Sequence, residues 1–288
     1  MSGLPILPGL SQWADHYDAL VCDLWGVVHN GHTATPSACD ALVRFRRRGG
    51  KVVLLSNAPR LSAAVVTQLN GFGVTREAWD SLVTSGDITY EAINRRADTW
   101  HQELGKRFFH IGPAHNKTLF DGLAAEQTSD VADADFILCT GLFNSDTETA
   151  ETYRSLFEQA ILRGQRLLCA NPDRAVMVGP KRLPSAGALA QLYATMGGEV
   201  REYGKPHANA YELCFEHLGK VEPARILAIG DGLLTDIAGA NAVGLDALFI
   251  WQGVHGAEIG PTPNSTDLGR VCGEHRLTAK AAMRELAW

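Results

Sequence analysis

The sequence predicts an α/β protein built on parallel sheets, with a second α/β domain inserted into the first. Three observations favour this fold class: continuous apolar runs, stretches of helical periodicity between them, and a middle block with runs and helices of its own. Continuous apolar runs are typical of strands that are buried on both faces, and such strands belong to parallel sheets covered by helices.

Seven apolar runs that end in small or polar residues are predicted strands. They are ALVCD (19–23), KVVLLSN (51–57), RFFHIG (107–112), DFILCTG (135–141), RLLCANPD (166–173), RILAIGD (225–231) and ALFIWQG (247–253). The first two and the last two lead into polar or glycine-rich loops, as the strands of one open sheet do.

Helical periodicity fills the stretches between these runs. Leu42, Val43 and Phe45 share one face after Pro36, and a helix is expected to begin near Ala208. A second apolar face comprises Tyr153, Leu156, Phe157, Ala160 and Ile161. The simplest arrangement is a core domain made of residues 1–85 and 200–288, with residues 86–199 as an inserted cap.

Composition excludes several classes of protein. The formal net charge of −6 disfavours nucleic acid as a partner, because phosphate backbones recruit basic surfaces. No apolar run approaches the ~18 residues of a membrane span, and the N-terminus lacks a signal-peptide pattern. The six cysteines form no CxxC pair, and Cys22, Cys139 and Cys169 lie inside apolar runs as buried thiols do. We expect a cytoplasmic, reduced protein.

Four clusters of polar residues are predicted to lie at the carboxyl edge of the core sheet. In an open α/β sheet, ligands bind beyond the carboxyl ends of the strands, so these residues are candidates for a site. They are Asp23, Ser56, Asn57, Lys205, Asp231 and Asp236. Carboxylates suit a hard divalent cation, whereas a hydroxyl and an ammonium suit phosphate oxygens, so the set fits a phosphate monoester.

Each of these residues also has a structural interpretation. An aspartate after a strand is commonly a turn or helix-capping residue, and a lone lysine is usually solvated. Their order and their common position at strand ends favour a site. The glycine patterns GxGxxG and GxxxxGK[ST] are missing where dinucleotide or P-loop binding needs them.

The chain resembles the haloacid dehalogenase superfamily, subfamily IIA, in the branch of NagD and the 4-nitrophenylphosphatases. Four family motifs occur in order, and three further stretches support them. The motifs are DLWG (23–26), LLSN (54–57), GKP (204–206) and GDGLLTDI (230–237), with TSGDITYEAI (84–93), CANPDRAV (169–176) and SAGALAQLY (185–193) as support. The resemblance implies a Rossmann-like core and an inserted C2-type α/β cap.

The resemblance also implies a Mg²⁺-dependent phosphatase that acts through an aspartyl-phosphate. It makes Asp23 the nucleophile and a metal ligand, with the Trp25 main-chain carbonyl, Asp231 and Asp236 at the metal as well. Ser56 and Lys205 take catalytic and phosphate-binding roles. Asn57, Gly26 and Trp25 join the phosphate and substrate contacts. Relatives act on small phosphorylated metabolites such as sugar phosphates and nucleotides, and their caps often form homodimers.

Trp25 departs from the family pattern DxD, whose second aspartate protonates the leaving oxygen. An indole N–H donates hydrogen bonds but does not exchange its proton near neutral pH. The loss of general acid catalysis costs about 10²–10⁴-fold in rate. One hypothesis is therefore a slow or selective phosphatase in which His29, His32 or a substrate group supplies the proton. Arg60 is a candidate contact for a second anionic group.

The alternative hypothesis is a non-catalytic protein that binds a phosphorylated ligand, or a regulatory protein, with the same pocket. Asp23, Lys205 and Asp231 argue against it, because binding alone does not need the nucleophile. Binding of a phosphorylated metabolite without phosphate release would distinguish this hypothesis from the first.

Overall fold

The computed structural model describes residues 3–178 and 181–288. They form two compact units that alternate along the chain. Unit 1 comprises Met1–Ser56, Val66–Val83 and Lys205–Trp288, and unit 2 comprises Asn57–Val65 and Thr84–Gly204.

The strands are numbered in chain order. They are β1 (Ala19–Asp23), β2 (Lys51–Ser56), β3 (Ser81–Thr84), β4 (Arg107–Ile111), β5 (Glu126–Thr128), β6 (Phe136–Cys139), β7 (Arg166–Cys169), β8 (Ala175–Val178), β9 (Lys181–Pro184), β10 (Val200–Glu202), β11 (Ile226–Gly230), β12 (Asp246–Ile250) and β13 (Ala281–Met283).

The helices are also numbered in chain order. They are α1 (Pro36–Arg47), α2 (Ser62–Phe72), α3 (Ser85–Arg95), α4 (Thr99–Gln102), α5 (Arg154–Leu162), α6 (Ala186–Thr195), α7 (Ala208–Leu218), α8 (Ala238–Ala242), α9 (Gly256–Ile259) and α10 (Ser265–Glu274). A π-helical turn at Leu233–Ile237 leads directly into α8. Short 3₁₀ turns occur at Leu10–Gln12, Ala14–His16, Arg76–Ala78, Ala114–Phe120, Val131–Asp133, Ala150–Tyr153 and Pro223–Arg225.

Unit 1 is built on a six-stranded sheet in the order β13-β12-β11-β1-β2-β3. β1 lies parallel to both β11 and β2, and all five of its residues are buried. From β1 the chain adds β2 and β3 on one side, and it later adds β11, β12 and β13 on the other. The strand order therefore reverses between β1 and β11, which is the place where open α/β sheets bind ligands.

Unit 2 has its own parallel sheet in the order β10-β7-β6-β4-β5, and β8 and β9 form a separate antiparallel pair. Helices α5 and α6 pack against this sheet through the buried Phe157 and Tyr193, whose rings meet edge to face at 5.0 Å. Two parallel sheets covered by helices confirm the predicted α/β fold class with a second α/β unit.

The seven predicted strands all appear, with ends that differ by a few residues at most. Of the predicted helical faces, Leu42 and Phe45 are buried in α1, and Val43 is half-buried. In the second face, Tyr153, Phe157 and Ala160 are buried. The helix expected near Ala208 is α7.

Three segments that were predicted to belong to the core lie in unit 2 instead, namely residues 84–85, residues 200–204 and residues 57–65. The longest of them is residues 57–65. These residues lie over the start of α3 in unit 2. The Thr84 hydroxyl donates to the Arg60 carbonyl at 2.7 Å, and the Ser62 N–H donates to Asp87 Oδ1 at 2.9 Å. Hydrogen bonds between segments that are distant along the chain have no local sequence pattern.

All six cysteines are free thiols, and Cys22, Cys139 and Cys169 are buried as predicted. Of the helices formed by residues 3–178 and 181–288, none has the length and apolar character needed to cross a membrane.

Candidate active site

The strand register of unit 1 brings its candidate residues to one edge of the sheet. Asp23 is the last residue of β1 and pairs with Leu55, so Ser56 lies one residue beyond that pair on β2. On the other side Cys22 pairs with Ile229, which places Asp231 just beyond the end of β11. The carboxyl ends of three adjacent parallel strands therefore deliver Asp23, Ser56 and Asp231 together.

Three carboxylates form a compact cluster at this edge. Asp23, Asp231 and Asp236 each offer an oxygen, and these oxygens lie within 4.8 Å of one another. The three residues are only 5–7% exposed. Carboxylates are costly to bury unless they are paired or bind a cation, so the cluster requires positive charge.

Lys205 supplies part of that charge. Its Nζ contacts Asp23 Oδ1, donates to Asp236 Oδ1 at 2.7 Å and donates to the Leu55 carbonyl at 3.1 Å. The residue is 3% exposed and stands three residues before α7. The structure thus brings together Asp23, Lys205 and Asp231, which are distant in sequence.

Burial and charge act in opposite directions on these groups. Burial lowers the pKa of the Lys205 ammonium, but contact with Asp23 and Asp236 outweighs burial, so the pKa is raised and the proton is held. The pKa of the Asp23 carboxyl is raised mainly by burial and also by Asp236 and Asp231, against the opposing effect of Lys205. The cluster therefore favours extra positive charge near Asp23.

The donor set fits a hard divalent cation. One ammonium offsets one of the three clustered carboxylates, and the two remaining charges match a divalent cation. Oxygen ligands held a few ångströms apart suit a hard cation, and softer ligands such as thiolates or imidazoles are missing from this cluster of described residues.

Asp231 is held by the loop that follows β12. Its Oδ2 accepts the Val254 N–H at 2.7 Å, and two glycines leave room for the carboxylate. A Cβ at Gly26 or at Gly253 would collide with Asp231 Oδ2. Gly26 also has φ +84°, a conformation that side chains other than glycine's rarely adopt.

Asp236 is oriented by the π-helical turn in which it lies. Its Oδ2 accepts the Gly232 N–H at 3.0 Å, while Oδ1 accepts from Lys205. The turn starts directly after Gly232, and π-helical turns are rare and frequent at functional sites. This geometry orients one carboxylate toward both Lys205 and the cluster.

The remaining predicted site residues are divided between the units. Ser56 is buried at the end of β2 in unit 1, whereas Asn57 and Arg60 belong to unit 2. Asn57 Nδ2 donates to Asp173 Oδ1 at 2.9 Å, and the Ser85 hydroxyl donates to Asn57 Oδ1 at 3.3 Å. The predicted phosphate contacts of Asn57 and Arg60 stay predictions.

Trp25 and Gly26 lie in the loop that follows β1. The Gly26 N–H donates to the His29 carbonyl at 2.8 Å, so in this structure Gly26 contributes to the site by the space it leaves for Asp231, and its predicted phosphate contact stays a prediction. Trp25 is 37% exposed, and His29 is buried beside it. His29 Nδ1 accepts the Gly31 N–H at 3.0 Å.

Several residues that shape the site were not among the predicted ones. The Leu55 carbonyl accepts from Lys205, the Val254 N–H binds Asp231, and His255 Nε2 accepts the Leu233 N–H at 3.3 Å. The glycine that ends the run ALFIWQG (247–253) was the available signal for Val254 and His255, since a strand followed by glycine indicates a loop at the same edge.

Comparison with known proteins identifies the family. A family model described as haloacid dehalogenase-like hydrolase matches residues 20–125, and a second, described as HAD-hydrolase-like, matches residues 202–268. A crystal structure of a haloacid dehalogenase-like hydrolase from Brucella suis 1330 is 38% identical in sequence. The alignment covers 97% of this chain and 100% of the Brucella chain, with a TM-score of 0.84.

This chain belongs to the haloacid dehalogenase-like hydrolases. A D-glycerol 3-phosphate phosphatase from Mycobacterium tuberculosis is 29% identical over 251 residues, which are 85% of this chain and 65% of the relative. This chain therefore spans just under two thirds of that relative's length.

Two further comparisons involve the same family. A glycerol phosphate phosphatase structure from Mycobacterium tuberculosis with calcium is 25% identical, covers 84% of this chain and 68% of its own, and has a TM-score of 0.64. The ribonucleotide monophosphatase NagD from Escherichia coli is 24% identical over 238 residues, covering 82% of this chain and 88% of the relative.

Proposed function

We propose that this hydrolase cleaves phosphate monoesters of small metabolites, with Asp23 as the nucleophile. The observation that carries the proposal is the position of Asp23 at the end of β1, in contact with the Lys205 ammonium and beside Asp231 and Asp236. The names of two relatives, a D-glycerol 3-phosphate phosphatase and a ribonucleotide monophosphatase, support the same substrate class.

Asp23, Asp231 and Asp236 would hold Mg²⁺, with the Trp25 main-chain carbonyl as a further predicted ligand. When bound, the ion neutralises negative charge on the carboxylates and on the phosphate oxygens. The calcium in the mycobacterial glycerol phosphate phosphatase structure supports a divalent cation here.

In the first step, a carboxylate oxygen of Asp23 bonds to phosphorus while the bond from phosphorus to the leaving oxygen breaks. The leaving oxygen departs with the electron pair, and the phosphoryl group becomes an aspartyl-phosphate on Asp23. Lys205 and the Ser56 hydroxyl stabilise the phosphoryl oxygens, since phosphoryl transfer depends mainly on positioning and on charge neutralisation.

In the second step, water attacks the phosphorus of the aspartyl-phosphate. The bond between phosphorus and the Asp23 oxygen breaks, inorganic phosphate leaves, and a proton from the water passes to solvent. The Asp23 carboxylate is regenerated with its contact to Lys205.

The test measures inorganic phosphate released from a panel of phosphorylated metabolites. We expect release with Mg²⁺, none with EDTA, and a loss of at least about 10³-fold in Asp23→Asn. Asp18→Asn is the matched control, because Asp18 is an exposed aspartate of unit 1 that pairs with Arg225. Release that persists in Asp23→Asn would exclude Asp23 as the nucleophile.

A second candidate function is a protein that binds a phosphorylated ligand without turning it over. The exposed indole of Trp25 favours it, because Trp25 occupies the position where the family resemblance implies a proton donor. Mg²⁺-dependent binding of a panel compound without phosphate release would select this function over the first.

A further inference from the structure

The loop that carries Trp25 is fixed by main-chain hydrogen bonds. The Val28 and His29 N–H groups both donate to the Leu24 carbonyl, at 2.8 and 3.0 Å, and the Gly26 N–H donates to the His29 carbonyl at 2.8 Å. Trp25 is two residues from the nucleophile, so its Cα lies within about 7 Å of the Asp23 Cα.

Gly31 and His29 pack against the indole of Trp25. Gly31 has φ +88°, and a Cβ there would collide with the six-membered ring of the indole. The His29 ring meets the indole edge to face at 5.4 Å, and His29 itself packs on Phe72 at 5.1 Å. Trp25 is nevertheless 37% exposed, so part of this large aromatic residue is open to solvent.

The segment between the nucleophile and His29 offers no proton donor. Between Asp23 and His29 the side chains are those of Leu24, Trp25, Gly26, Val27 and Val28, and none of them exchanges a proton near neutral pH. His29 is the first titratable residue after the nucleophile.

The environment of His29 disfavours the predicted role as a replacement acid. Its Nδ1 accepts the Gly31 N–H, so that nitrogen has no proton to give, and protonation there would break the hydrogen bond. A neutral imidazole that carries its proton on Nε2 is a weak acid. The residue is also only 4% exposed, beneath the Trp25 indole.

The lack of a proton donor beside Asp23 affects how readily the bond between phosphorus and the leaving oxygen breaks. That oxygen takes the electron pair when Asp23 attacks, and an alkyl oxygen then needs a proton to leave at a useful rate. An oxygen attached to an aromatic ring or a carbon–carbon double bond spreads the charge by conjugation and leaves as the anion. Solvent protonates it afterwards, so the step balances without an acid from the protein.

The exposed aromatic surface of Trp25 favours the same class of substrate, phosphate esters with a conjugated leaving group. Conjugated leaving groups are flat, and a flat group stacks on an exposed indole more favourably than a flexible alkyl chain does. The absence of a titratable side chain between Asp23 and His29 and the presence of an aromatic face are independent observations.

We propose that Trp25 is a specificity-determining residue that selects phosphate esters of planar, conjugated hydroxyl groups, of the aryl or enol type, over alkyl phosphates. The inference rests on the proposed phosphatase function and narrows its substrate class. Sugar phosphates esterified through alkyl oxygens are then poor substrates.

The first experiment compares kcat/KM for a series of phosphate esters whose leaving groups cover a wide range of acidity. Activity of the wild-type protein falls steeply as the leaving group becomes more basic. In Trp25→Asp, which places a carboxyl two residues from the nucleophile, alkyl phosphates gain about 10²–10⁴-fold and the dependence on acidity flattens. His29→Gln leaves the wild-type dependence unchanged.

The second experiment isolates the aromatic surface. Phenyl phosphate is compared with the phosphate of a fluorinated alcohol of matched acidity, so that only planarity differs. The wild-type protein and Trp25→Phe have a higher kcat/KM for the phenyl ester than for the alkyl ester. In Trp25→Ala the ratio of these two values is about 3- to 10-fold smaller. Trp25→Phe also controls for the loss of the indole N–H.

Two outcomes overturn the inference while the proposed function stands. One is a wild-type rate that is independent of leaving-group acidity, and the other is an equal rate for the phenyl and the acidity-matched alkyl ester. If no ester in the series releases phosphate, the proposed function fails, and the inference fails with it.

Discussion

Lys205 Nζ lies 2.7 Å from Asp236 Oδ1 and also contacts Asp23, so one buried ammonium holds two carboxylates from different elements. Lys205→Met removes this charge and leaves buried carboxylates unpaired, which costs about 3–5 kcal/mol in the absence of a cation. Mg²⁺ then neutralises more uncompensated charge than in the wild type. We expect a lower Tm in EDTA and a larger increase in Tm on adding Mg²⁺.

Thermal unfolding with and without Mg²⁺ checks this expectation. Lys280→Met is a control, because Lys280 pairs with Asp246 away from the cluster and is exposed. A Mg²⁺-induced increase in Tm that is no larger in Lys205→Met than in the wild type would show that the lysine and the cation do not neutralise the same carboxylates.

Asp231→Asn weakens Mg²⁺ binding while the fold is retained. The asparagine oxygen still accepts the Val254 N–H, but the ligand loses its negative charge. We expect the Kd for Mg²⁺ to rise about 10-fold or more in calorimetric titration. Asp18→Asn serves as the control, and an unchanged Kd in Asp231→Asn would remove this residue from the metal site.

A comparison of Gly26→Ala with Gly73→Ala separates the effect of backbone strain from the effect of a collision with Asp231. Gly26 and Gly73 have similar φ values, +84° and +87°, but only Gly26 faces a neighbour, since a Cβ at Gly73 meets nothing within 4 Å. Alanine at either position costs about 1–2 kcal/mol of stability through left-handed backbone strain. Only Gly26→Ala also displaces Asp231.

Urea unfolding and Mg²⁺ titration of the two alanine variants measure these effects separately. We expect a larger loss of stability in Gly26→Ala, because its methyl group also collides with Asp231, and a weaker Mg²⁺ affinity in Gly26→Ala alone. Equal Mg²⁺ affinities in Gly26→Ala and Gly73→Ala would mean that the space beside Asp231 is not needed for binding.

His110 makes the stability of the protein depend on pH. Burial, with a smaller effect of Lys117, lowers the pKa of His110 to about 4, and its Nε2 lies 2.8 Å from the Thr140 hydroxyl oxygen. Between the ordinary histidine pKa and this value, the unfolded chain binds a proton that the folded protein does not. Stability is therefore lost as pH falls through this window, by about 2 kcal/mol between pH 7 and pH 5.

Urea unfolding at both pH values, for the wild type and for His110→Gln, checks this prediction. Other groups also titrate over this range, so the quantity of interest is the difference between the two pH dependences. The variant is expected to lose about 2 kcal/mol less than the wild type on acidification. Identical pH dependences would show that His110 is protonated equally in the folded and unfolded states.

The sequence predicted the long buried strands because their apolar side chains are contiguous. ALVCD (19–23) forms β1 with the predicted bounds, whereas β3 (SLVT) and β13 (AAM) are too short and too mixed in composition to stand out. Their strand character comes from neighbouring strands that are distant along the chain.

The site residues were predictable in part for a similar reason. Asp23 and Asp231 follow buried strands, and a parallel sheet brings such positions to one edge. Lys205 contacts Asp236 only because the folded chain brings them together. The same is true of the space that Gly26 leaves for Asp231. No local sequence pattern predicts either feature. The hydrogen bond from Gly31 to His29 Nδ1 likewise became visible only in the structure.

The most direct test of the account is chemical trapping of the phosphorylated residue. The protein is mixed with Mg²⁺ and an aryl phosphate, quenched rapidly and treated with borohydride, which reduces an aspartyl-phosphate to homoserine. Mass spectrometry of the digested protein is predicted to find homoserine at Asp23 in the wild type and not in Asp23→Asn. Phosphate release with Asp23 unmodified in the quenched wild-type protein would contradict the account.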